Sequence, residues 1–251
     1  MSDSAFSMLA SGYDDYNSAD FDGYMRFFAE CAKRFSDIPV REVLDMACGT
    51  GELTKRLCEQ GYDVCAFDCS ADMLMKAREK CDGHDVAFSM QDMRDFELYG
   101  TVQATVCSYD SINYLQDGLR DSFSLVNNYT ERGGIFVFDI NTEYRYKNVF
   151  GDSSYVYENG DDMLVWQNYY NEKTRLCRFY LTEFTERCGM YERSDELQCQ
   201  RYYSLQSIKR ALAACGFCLC GIYGGTDFSP LTENSEKAYI IAKSVSGRAQ
   251  G

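Results

Sequence analysis

The stretch LDMACGTGELT, residues 44–54, decides the fold class of this chain. The apolar run 42–47 predicts a β-strand, and residues 51–60 predict a helix that ends at Gly61. Gly49 and Gly51 lie in the turn between them, where glycine lets the backbone approach a ligand closely. A strand, a glycine-rich turn and a helix in this order indicate a nucleotide-binding site in an α/β fold.

Strand-like and helix-like segments alternate through the first half of the chain. This alternation predicts an α/β fold with a Rossmann-like, doubly wound, mostly parallel sheet and helices on both faces. Ligands bind such sheets outside the carboxyl ends of the strands. Besides 42–47, the predicted strands are 63–68, 85–90, 104–109 and 133–140, and the predicted helices include 71–81, capped by Ser70, and roughly 117–131.

The remaining segments surround this alternating core. Residues 1–38, with an amphipathic helix at 21–35, precede the first strand and are expected to form a helical lid. Residues 39–140 and 204–244 make up the core of one single domain. The stretch 141–203 is rich in aromatic residues and predicts an antiparallel β insertion of about four strands. Its rings could shape a substrate pocket, pack the sheet or form a dimer surface.

Composition narrows the possible partners. The 251 residues carry a formal net charge of −14, and Lys and Arg are scattered, which argues against binding to nucleic acid or to an anionic membrane. The chain begins without a secretory signal pattern and has no run of roughly 18 apolar residues. We therefore expect a cytoplasmic protein, a monomer or homodimer, that acts on a small molecule.

The thirteen cysteines and the single histidine do not predict a metal site. Many cysteines fall in apolar runs, as expected of small buried hydrophobic residues in a reducing compartment. Cys215, Cys218 and Cys220 lie close together but lack a second ligand pair at a suitable spacing. His84, in the segment DGHD, is expected to be a turn residue.

Three nucleotide-binding templates can be compared with the opening stretch. A P-loop is excluded because no lysine directly follows Gly51. A dinucleotide fingerprint is weakened because Thr54 occupies its third glycine position. The third template is an acidic residue at the strand end before small-x-Gly-x-Gly, here Asp45 and Ala47 before Gly49 and Gly51. It suits S-adenosylmethionine, because the acid can serve the ammonium group of the methionine end.

Acidic residues also follow the next two strands. Asp68 ends the second strand, where a carboxylate can accept hydrogen bonds from ribose hydroxyls. Asp92 follows the third strand, where it can accept from an adenine amino group, and Met73 and Met93 could pack on that ring. Three acids at three successive strand ends beside one glycine loop favour a nucleoside site over coincidence.

These motifs resemble those of a known family. The segments VLDMACGTGELT, DVCAFDCSADMLMKAREK, MQDMRDF, CSYDSINYL and GGIFVFDIN are similar to the successive motifs of class I S-adenosylmethionine-dependent methyltransferases. The resemblance is closest to small bacterial enzymes related to sugar-nucleotide N,N-dimethyltransferases. It implies a seven-stranded sheet whose last strand, KAYIIAKS, runs antiparallel between its neighbours.

The resemblance also implies roles for individual residues toward S-adenosylmethionine. Asp45, Ala47 and Gly49 would line its methionine part, and Asp68 would bind its ribose. The remaining implied positions are Cys69 and Met73 beside the adenine, Asp92 and Met93 at the adenine edge, Ser108 beside the methionine part, and Tyr13, with Tyr24, closing over the cofactor.

The acceptor of the methyl group is less defined. The fourth strand end reads SYDSINY, not the Asn-Pro-Pro-Tyr of amide and nucleobase N-methyltransferases, and no histidine is placed to deprotonate a phenol. An in-line displacement that relies on positioning remains, with nitrogen favoured over oxygen as the acceptor. The polar residues expected to orient the substrate are Asp110, Asn113, Tyr114 and Asp139.

Two other functions stay open from the sequence. One is an NAD-dependent oxidoreductase, against which Thr54 and the lack of a proton-relay group in the second half argue. The other is a non-catalytic protein that binds S-adenosylmethionine. It is disfavoured because a scaffold has no need of both Asp68 and Asp92.

Overall fold

The structure is a computed structural model, and it describes residues 20–246. Helices and strands alternate up to β5, as the hydrophobic periodicity predicts, except that β4 follows β3 without a helix between them. Up to that point the elements are α1 (Phe21–Phe35), β1 (Glu42–Met46), α2 (Glu52–Glu59), β2 (Asp63–Asp68), α3 (Ala71–Lys80), β3 (Val86–Met90), β4 (Val102–Cys107), a 3₁₀ turn (Ser111–Tyr114), α4 (Leu119–Tyr129) and β5 (Thr130–Asn141).

After β5 the chain leaves the core, forms a small sheet and returns. These elements are a π-helix (Arg145–Phe150), β6 (Ser154–Asn159), β7 (Asp162–Asn171), β8 (Leu176–Arg187), β9 (Met190–Arg201), α5 (Leu205–Ala214), β10 (Phe217–Tyr223) and β11 (Lys237–Ser244). The four strands β6 to β9 pair in chain order and antiparallel, which confirms the predicted meander.

The main sheet has seven strands in the order β10-β11-β5-β4-β1-β2-β3. Strands β1 to β5 are parallel to one another, whereas β11 runs antiparallel between β10 and β5. This is the predicted Rossmann-like fold with its reversed last strand. Because β11 is reversed, its first residue lies at the edge where the parallel strands end.

Alternate residues of each strand bury against helices on opposite faces. Val43 packs with Phe28 of α1 and Leu57 of α2, whereas its neighbour Leu44 packs with Phe123 of α4 on the other face. All five side chains are fully buried. Since each such side chain contributes about 1.5–3 kcal/mol when buried, the two layers hold the strand ends in fixed positions.

Helix α1 forms part of one of these layers. Its buried side chains, among them Phe27 and Phe28, pack on the sheet, and its N-cap Asp20 accepts a 2.7 Å hydrogen bond from the Gly23 amide. Only Asp20 and Phe21, at its start, reach the cleft described below. Residues 1–19, which the predicted lid also includes, lie outside the described residues.

Candidate functional site

A cleft of about 530 Å³ opens at the carboxyl ends of β1, β2 and β4 and extends under the small sheet. One part of it, which we call the motif half, is lined by the glycine loop and the residues after β2 and β4. The other, which we call the acceptor half, lies toward the insertion and β11. Motif-half residues are Ala47, Cys48, Gly49, Thr50, Asp68, Cys69, Met73, Met93 and Ser108; acceptor-half residues include Asp110, Tyr114, Arg145, Phe150, Trp166, Phe179, Gln198, Gln200, Glu236 and Lys237.

The glycine loop turns sharply because three of its residues adopt left-handed conformations. Ala47, Gly49 and Gly51 have φ of 60°, 56° and 78°. A Cβ on Gly51 would lie 2.9 Å from the Ala77 Cα, so glycine there lets α2 approach α3. A Cβ on Gly49 would have nothing within 4 Å. Gly49 therefore faces open space that a ligand can occupy.

Asp45 lies beneath this loop and not on the cleft wall. Its side chain is fully buried, and the Thr54 hydroxyl donates a 2.6 Å hydrogen bond to its Oδ2. Burial raises the pKa of the Asp45 carboxyl to about 7, reinforced by the charge of Asp68 and opposed by the bond from Thr54. Its Oδ1 accepts no hydrogen bond within the described residues.

Asp68 shapes the loop from the end of β2. Its Oδ2 accepts a 2.9 Å hydrogen bond from the Gly49 amide, and its Oδ1 accepts one of 2.9 Å from the Ser70 amide. Burial raises the pKa of Asp68, against these hydrogen bonds. The same carboxylate lines the cleft, so it is placed to accept further bonds from a ligand.

Asp92 is held by its neighbour Arg94. Its oxygens accept from the Arg94 Nε at 2.9 Å and from the Nη2 at 2.7 Å, and the same guanidinium binds Asp117. This pairing holds the pKa of Asp92 below its usual range. Asp92 does not line the cleft, whereas its neighbour Met93 does.

A buried carboxylate organises the end of β4. Asp139, at 0% exposure, accepts from the amides of Tyr109 at 2.7 Å and Asp110 at 2.9 Å. Both of these residues are left-handed, with φ of 53° and 55°. Because two hydrogen bonds hold a backbone shape that non-glycine residues rarely adopt, Asp139 supports the turn that presents Asp110 to the cleft.

Lys237 completes this cluster from the first position of β11. Its Nζ lies 2.6 Å from the Asp110 Oδ1 and 2.8 Å from the Asp139 Oδ2. The other Asp110 oxygen, Oδ2, accepts a 2.6 Å hydrogen bond from the side-chain Nε2 of Gln200. The charge of Lys237 lowers the pKa of Asp110 against the effect of burial, and the two carboxylates in turn raise the pKa of Lys237.

Asn113 and Tyr114 connect the core to the insertion. The Asn113 amide donates to the Arg201 carbonyl at 2.8 Å, and its Oδ1 accepts from the Asn141 amide at 2.9 Å. The Tyr114 hydroxyl donates to the Gln198 Oε1 at 2.8 Å. Asn113 is fully buried and away from the cleft wall, whereas Tyr114 lines it.

One wall of the acceptor half is a contiguous row of side chains. The Arg145 guanidinium lies 4.9 Å from the Phe150 ring centre, Phe150 meets Phe179 edge-on at 5.2 Å, and Phe179 meets Trp166 edge-on at 5.7 Å. We call these four side chains the aromatic wall. Two other rings of the insertion, Tyr169 and Tyr180, do not belong to this row and are 47% and 46% exposed.

The structure brings most of the predicted site residues together. On the cleft wall lie Ala47, Gly49, Asp68, Cys69, Met73, Met93, Ser108, Asp110 and Tyr114. The other predicted residues do not line the cleft: they are Tyr24, Asp45, Gly51, Asp92, Asn113 and Asp139. Tyr24 is buried against the Tyr109 and Tyr239 rings. Tyr13 lies outside the described residues.

Sequence reasoning missed several polar residues of the acceptor half. Lys237 carried a usable signal, because the first residue of a reversed last strand must lie at the carboxyl edge of the sheet. Gln198 and Gln200 carried no usable signal, because β9 buries them with Glu196 and leaves Leu197 54% exposed, the reverse of what a hydrophobic pattern predicts. Arg145 lies in a π-helix that no sequence pattern predicted.

Comparisons with known proteins agree with this geometry. The methyltransferase domain family matches residues 43–134. A protein of Geobacillus sp. (strain WCH70) that is named as a methyltransferase is 29% identical over 95% of this chain and 99% of its own length. A crystal structure of an S-adenosylmethionine-dependent methyltransferase from Clostridium acetobutylicum ATCC 824 superposes with a TM-score of 0.85 and 26% identity, over 95% of this chain and 98% of that one.

The chain is an S-adenosylmethionine-dependent methyltransferase with a methyltransferase domain over residues 43–134. Within the class, a relative of narrower match is the dTDP-3-amino-3,6-dideoxy-alpha-D-glucopyranose N,N-dimethyltransferase of Streptomyces fradiae. It is 33% identical over 43% of this chain and 42% of its own length. These findings favour methyl transfer over the oxidoreductase and scaffold alternatives. In residues 20–246, no helix is long and apolar enough to cross a membrane.

Proposed function

We propose that this enzyme methylates a nitrogen atom of a small-molecule amine. The observation that carries the proposal is the charge of the acceptor half. Asp110 and Glu236 on the cleft wall, with the buried Asp139 directly behind Asp110, supply three carboxylates against the two cations Lys237 and Arg145, which leaves one negative charge in excess among these side chains. A pocket of that sign attracts a protonated amine and gives no such advantage to a neutral hydroxyl.

We propose that the motif half holds S-adenosylmethionine. The observations that support a fit are the open space above Gly49, the Asp68 carboxylate on the wall, and the Met73 and Met93 side chains that could contact a flat ring. Cys69 and Ser108 would lie beside the adenine and the methionine part. Asp45 would act indirectly, by holding the glycine loop through its hydrogen bond with Thr54. Asp92 would bind the adenine edge only if its carboxylate contacted Arg94 and the adenine at the same time.

S-adenosylmethionine supplies a methyl group on a sulfonium, which needs little activation by the protein. The chain's own part is then to align the acceptor nitrogen with that methyl and to exclude water. Asp110, held by Lys237 and Gln200, and Tyr114, held by Gln198, are the groups we propose to orient the amine. The amine would lose its proton to water or to a nearby carboxylate.

We further propose that residues 141–203 act as a substrate cap on a single domain. Of the predicted lid at 1–38, α1 instead packs on the sheet, and only its start, Asp20 and Phe21, reaches the cleft. The cap role is supported by four cleft-lining residues of the small sheet, Trp166, Phe179, Gln198 and Gln200. The nitrogen preference is supported by the Streptomyces fradiae relative, whose name specifies an amino sugar as acceptor. A cytoplasmic location and a monomer or homodimer remain our expectation.

The test is a screen of matched acceptor pairs that differ only in carrying an amine or a hydroxyl, read by release of S-adenosylhomocysteine. We expect turnover of amines, and turnover confined to the hydroxyl members would overturn the proposal. Asp110→Asn should raise the KM for the amine without changing the affinity for S-adenosylhomocysteine. Asp121→Asn, on the exposed side of α4, is the control and should leave both values unchanged.

A further inference from the structure

The Gln200 side chain joins the small sheet to the charged cluster of the acceptor half. Its Nε2 donates a 2.6 Å hydrogen bond to the Asp110 Oδ2, and its Oε1 accepts from the Asn141 Nδ2 at 3.0 Å and from the Tyr146 hydroxyl at 2.9 Å. Gln200 is 2% exposed, and Asn141 and Tyr146 are fully buried. Hydrogen bonds in such surroundings are strong, and breaking one leaves a buried polar group unsatisfied.

These partners favour one orientation of the Gln200 amide. An amide oxygen has two lone pairs, and Asn141 and Tyr146 donate to both of them. The NH₂ group of the amide is thereby directed at Asp110. If the amide were reversed, its oxygen would face the Asp110 carboxylate and its nitrogen would face the Asn141 amide nitrogen. Because both of those contacts are repulsive, Asn141 and Tyr146 ensure that Asp110 receives a donor.

Asp110 is therefore held on both of its oxygens. The Lys237 Nζ lies 2.6 Å from its Oδ1, and Gln200 binds its Oδ2. Asp110 and Gln200 line the cleft, whereas Asn141 and Tyr146 do not. Since each carboxylate oxygen can accept more than one hydrogen bond, Asp110 keeps capacity for a ligand. The direction of that capacity is set by one contact from β11 and one from β9.

We propose that Gln200 is a positioning residue for methyl transfer, which fixes the direction in which the Asp110 carboxylate faces the acceptor amine. Tyr146 acts one step further away, by orienting the Gln200 amide. This inference rests on the proposed role of Asp110 in orienting the amine. It gives residues 141–203 a second task beside that of the proposed cap, because two buried side chains of this segment control a group of the core.

An ammonium probe tests the proposal, with Trp166, the single tryptophan of the chain, as the reporter in the acceptor half. Protein saturated with S-adenosylhomocysteine is titrated with benzylammonium at constant ionic strength, and the tryptophan emission gives the Kd. Gln200→Met removes the hydrogen bonds at similar side-chain length and should raise this Kd by about tenfold. Tyr146→Phe should raise it by about threefold, because the amide then keeps only Asn141 as a donor. The affinity for S-adenosylhomocysteine should not change.

The pH dependence of this Kd separates positioning from a loss of packing. Burial raises the pKa of Asp110, but the charges of Lys237 and Arg145 lower it, and the hydrogen bond from Gln200 lowers it further. Benzylammonium binding should be lost in acid as Asp110 takes up a proton, and in Gln200→Met this loss should occur at higher pH. Asp110→Asn should remove the loss. The other titratable groups around Asp110 are unchanged in Gln200→Met: Asp139 of β5, Tyr146 of the π-helix, Tyr239 of β11 and Cys107 of β4.

Matched controls lie at exposed positions of the small sheet. Gln167→Met on β7 and Tyr180→Phe on β8 should bind benzylammonium like the parent. Melting temperatures and the affinity for S-adenosylhomocysteine show whether each variant is folded. A folded Gln200→Met protein with the Kd and pH dependence of the parent would overturn this inference alone. If that variant does not fold, the same result in Tyr146→Phe decides against it.

Failure of the proposed function has a different signature. An Asp110→Asn protein that binds benzylammonium as tightly as the parent, or a parent that gives no saturable response, would overturn the proposed role of Asp110 and this inference with it. A raised Kd in Asp110→Asn together with an unchanged Kd in Gln200→Met would leave the proposed function in place and remove only the positioning role.

Discussion

The Thr54 hydroxyl donates a 2.6 Å hydrogen bond to the fully buried carboxylate of Asp45. Asp45 lies in β1 and Thr54 in α2, on either side of the glycine loop, so this bond joins the two elements beneath the loop. Thr54 departs from a dinucleotide fingerprint because here the position must supply a hydroxyl, which glycine cannot do. This hydrogen bond holds the loop in place without any contact from the cofactor.

The raised pKa of Asp45 predicts a pH dependence of stability. A carboxyl whose pKa is about 7 when folded and about 4 when unfolded favours folding most below pH 4, and its contribution is lost as the pH rises to 7. Between these values the free energy of unfolding should fall by about 1.4 kcal/mol per pH unit from this group. Urea titrations of the parent and Asp45→Asn across this range should show a shallower slope in the variant, and equal slopes would contradict the prediction.

Gly49 and Gly51 should respond differently to alanine. Both are left-handed, so both variants carry a conformational cost of about 1 kcal/mol. Only at Gly51 would the new methyl collide with the Ala77 backbone at 2.9 Å. Gly51→Ala should therefore lower the melting temperature much more than Gly49→Ala, whereas Gly49→Ala should mainly weaken S-adenosylhomocysteine binding. Thermal unfolding and calorimetric titration measure the two effects, and equal losses of stability would argue against the close approach of α3.

Lys237 should be essential to the stability of the acceptor half. Lys237→Met would leave Asp110 and Asp139 buried beside each other without their ion pairs to Lys237, at a cost of about 3–5 kcal/mol. Because Lys237 lowers the pKa of Asp110, the stability that this pair contributes is present above the unfolded pKa of the carboxyl and is lost at lower pH. The deficit of the variant should thus shrink on acidification.

The control for Lys237 is Lys243→Met, which removes the pairing of a more exposed lysine of the same strand with Asp37. We expect a loss of less than about 1 kcal/mol there. Denaturant unfolding at pH 8 and at about pH 3, below the unfolded pKa of Asp110, compares the two variants. A similar deficit for both would mean that the buried cluster contributes no more than a surface pair.

Asp68→Ala should weaken S-adenosylhomocysteine binding by about 1–3 kcal/mol. The variant loses the proposed bonds to the ribose and also the two bonds that hold the Gly49 and Ser70 amides. Asp63→Ala, at the exposed opposite end of β2, should bind like the parent in the same calorimetric titration. Unchanged affinity in Asp68→Ala would place the ribose elsewhere.

The sequence predicted the sheet and the motif half because their signals are local. Strand periodicity, the glycine loop and the acids at strand ends each lie within a few residues. The acceptor half depends on contacts between distant segments, such as Lys237 with Asp110 and Gln200 with Asp110. The hydrophobic pattern of the sequence also misleads in the acceptor half, because β9 buries Gln198 and Gln200 and exposes Leu197. A hydrophobic pattern alone therefore assigns that strand to the wrong face.

The reversed direction of β11 has a consequence for how the molecule is made. The residues that line the motif half are all synthesised by residue 108, and Asp110 and Asp139 follow. Lys237, which pairs with both carboxylates, is synthesised much later. During synthesis these acids have no cation from β11 to face, so the strand that closes the sheet also neutralises the cluster. The main sheet and the charge balance of the acceptor half therefore depend on the same strand, β11.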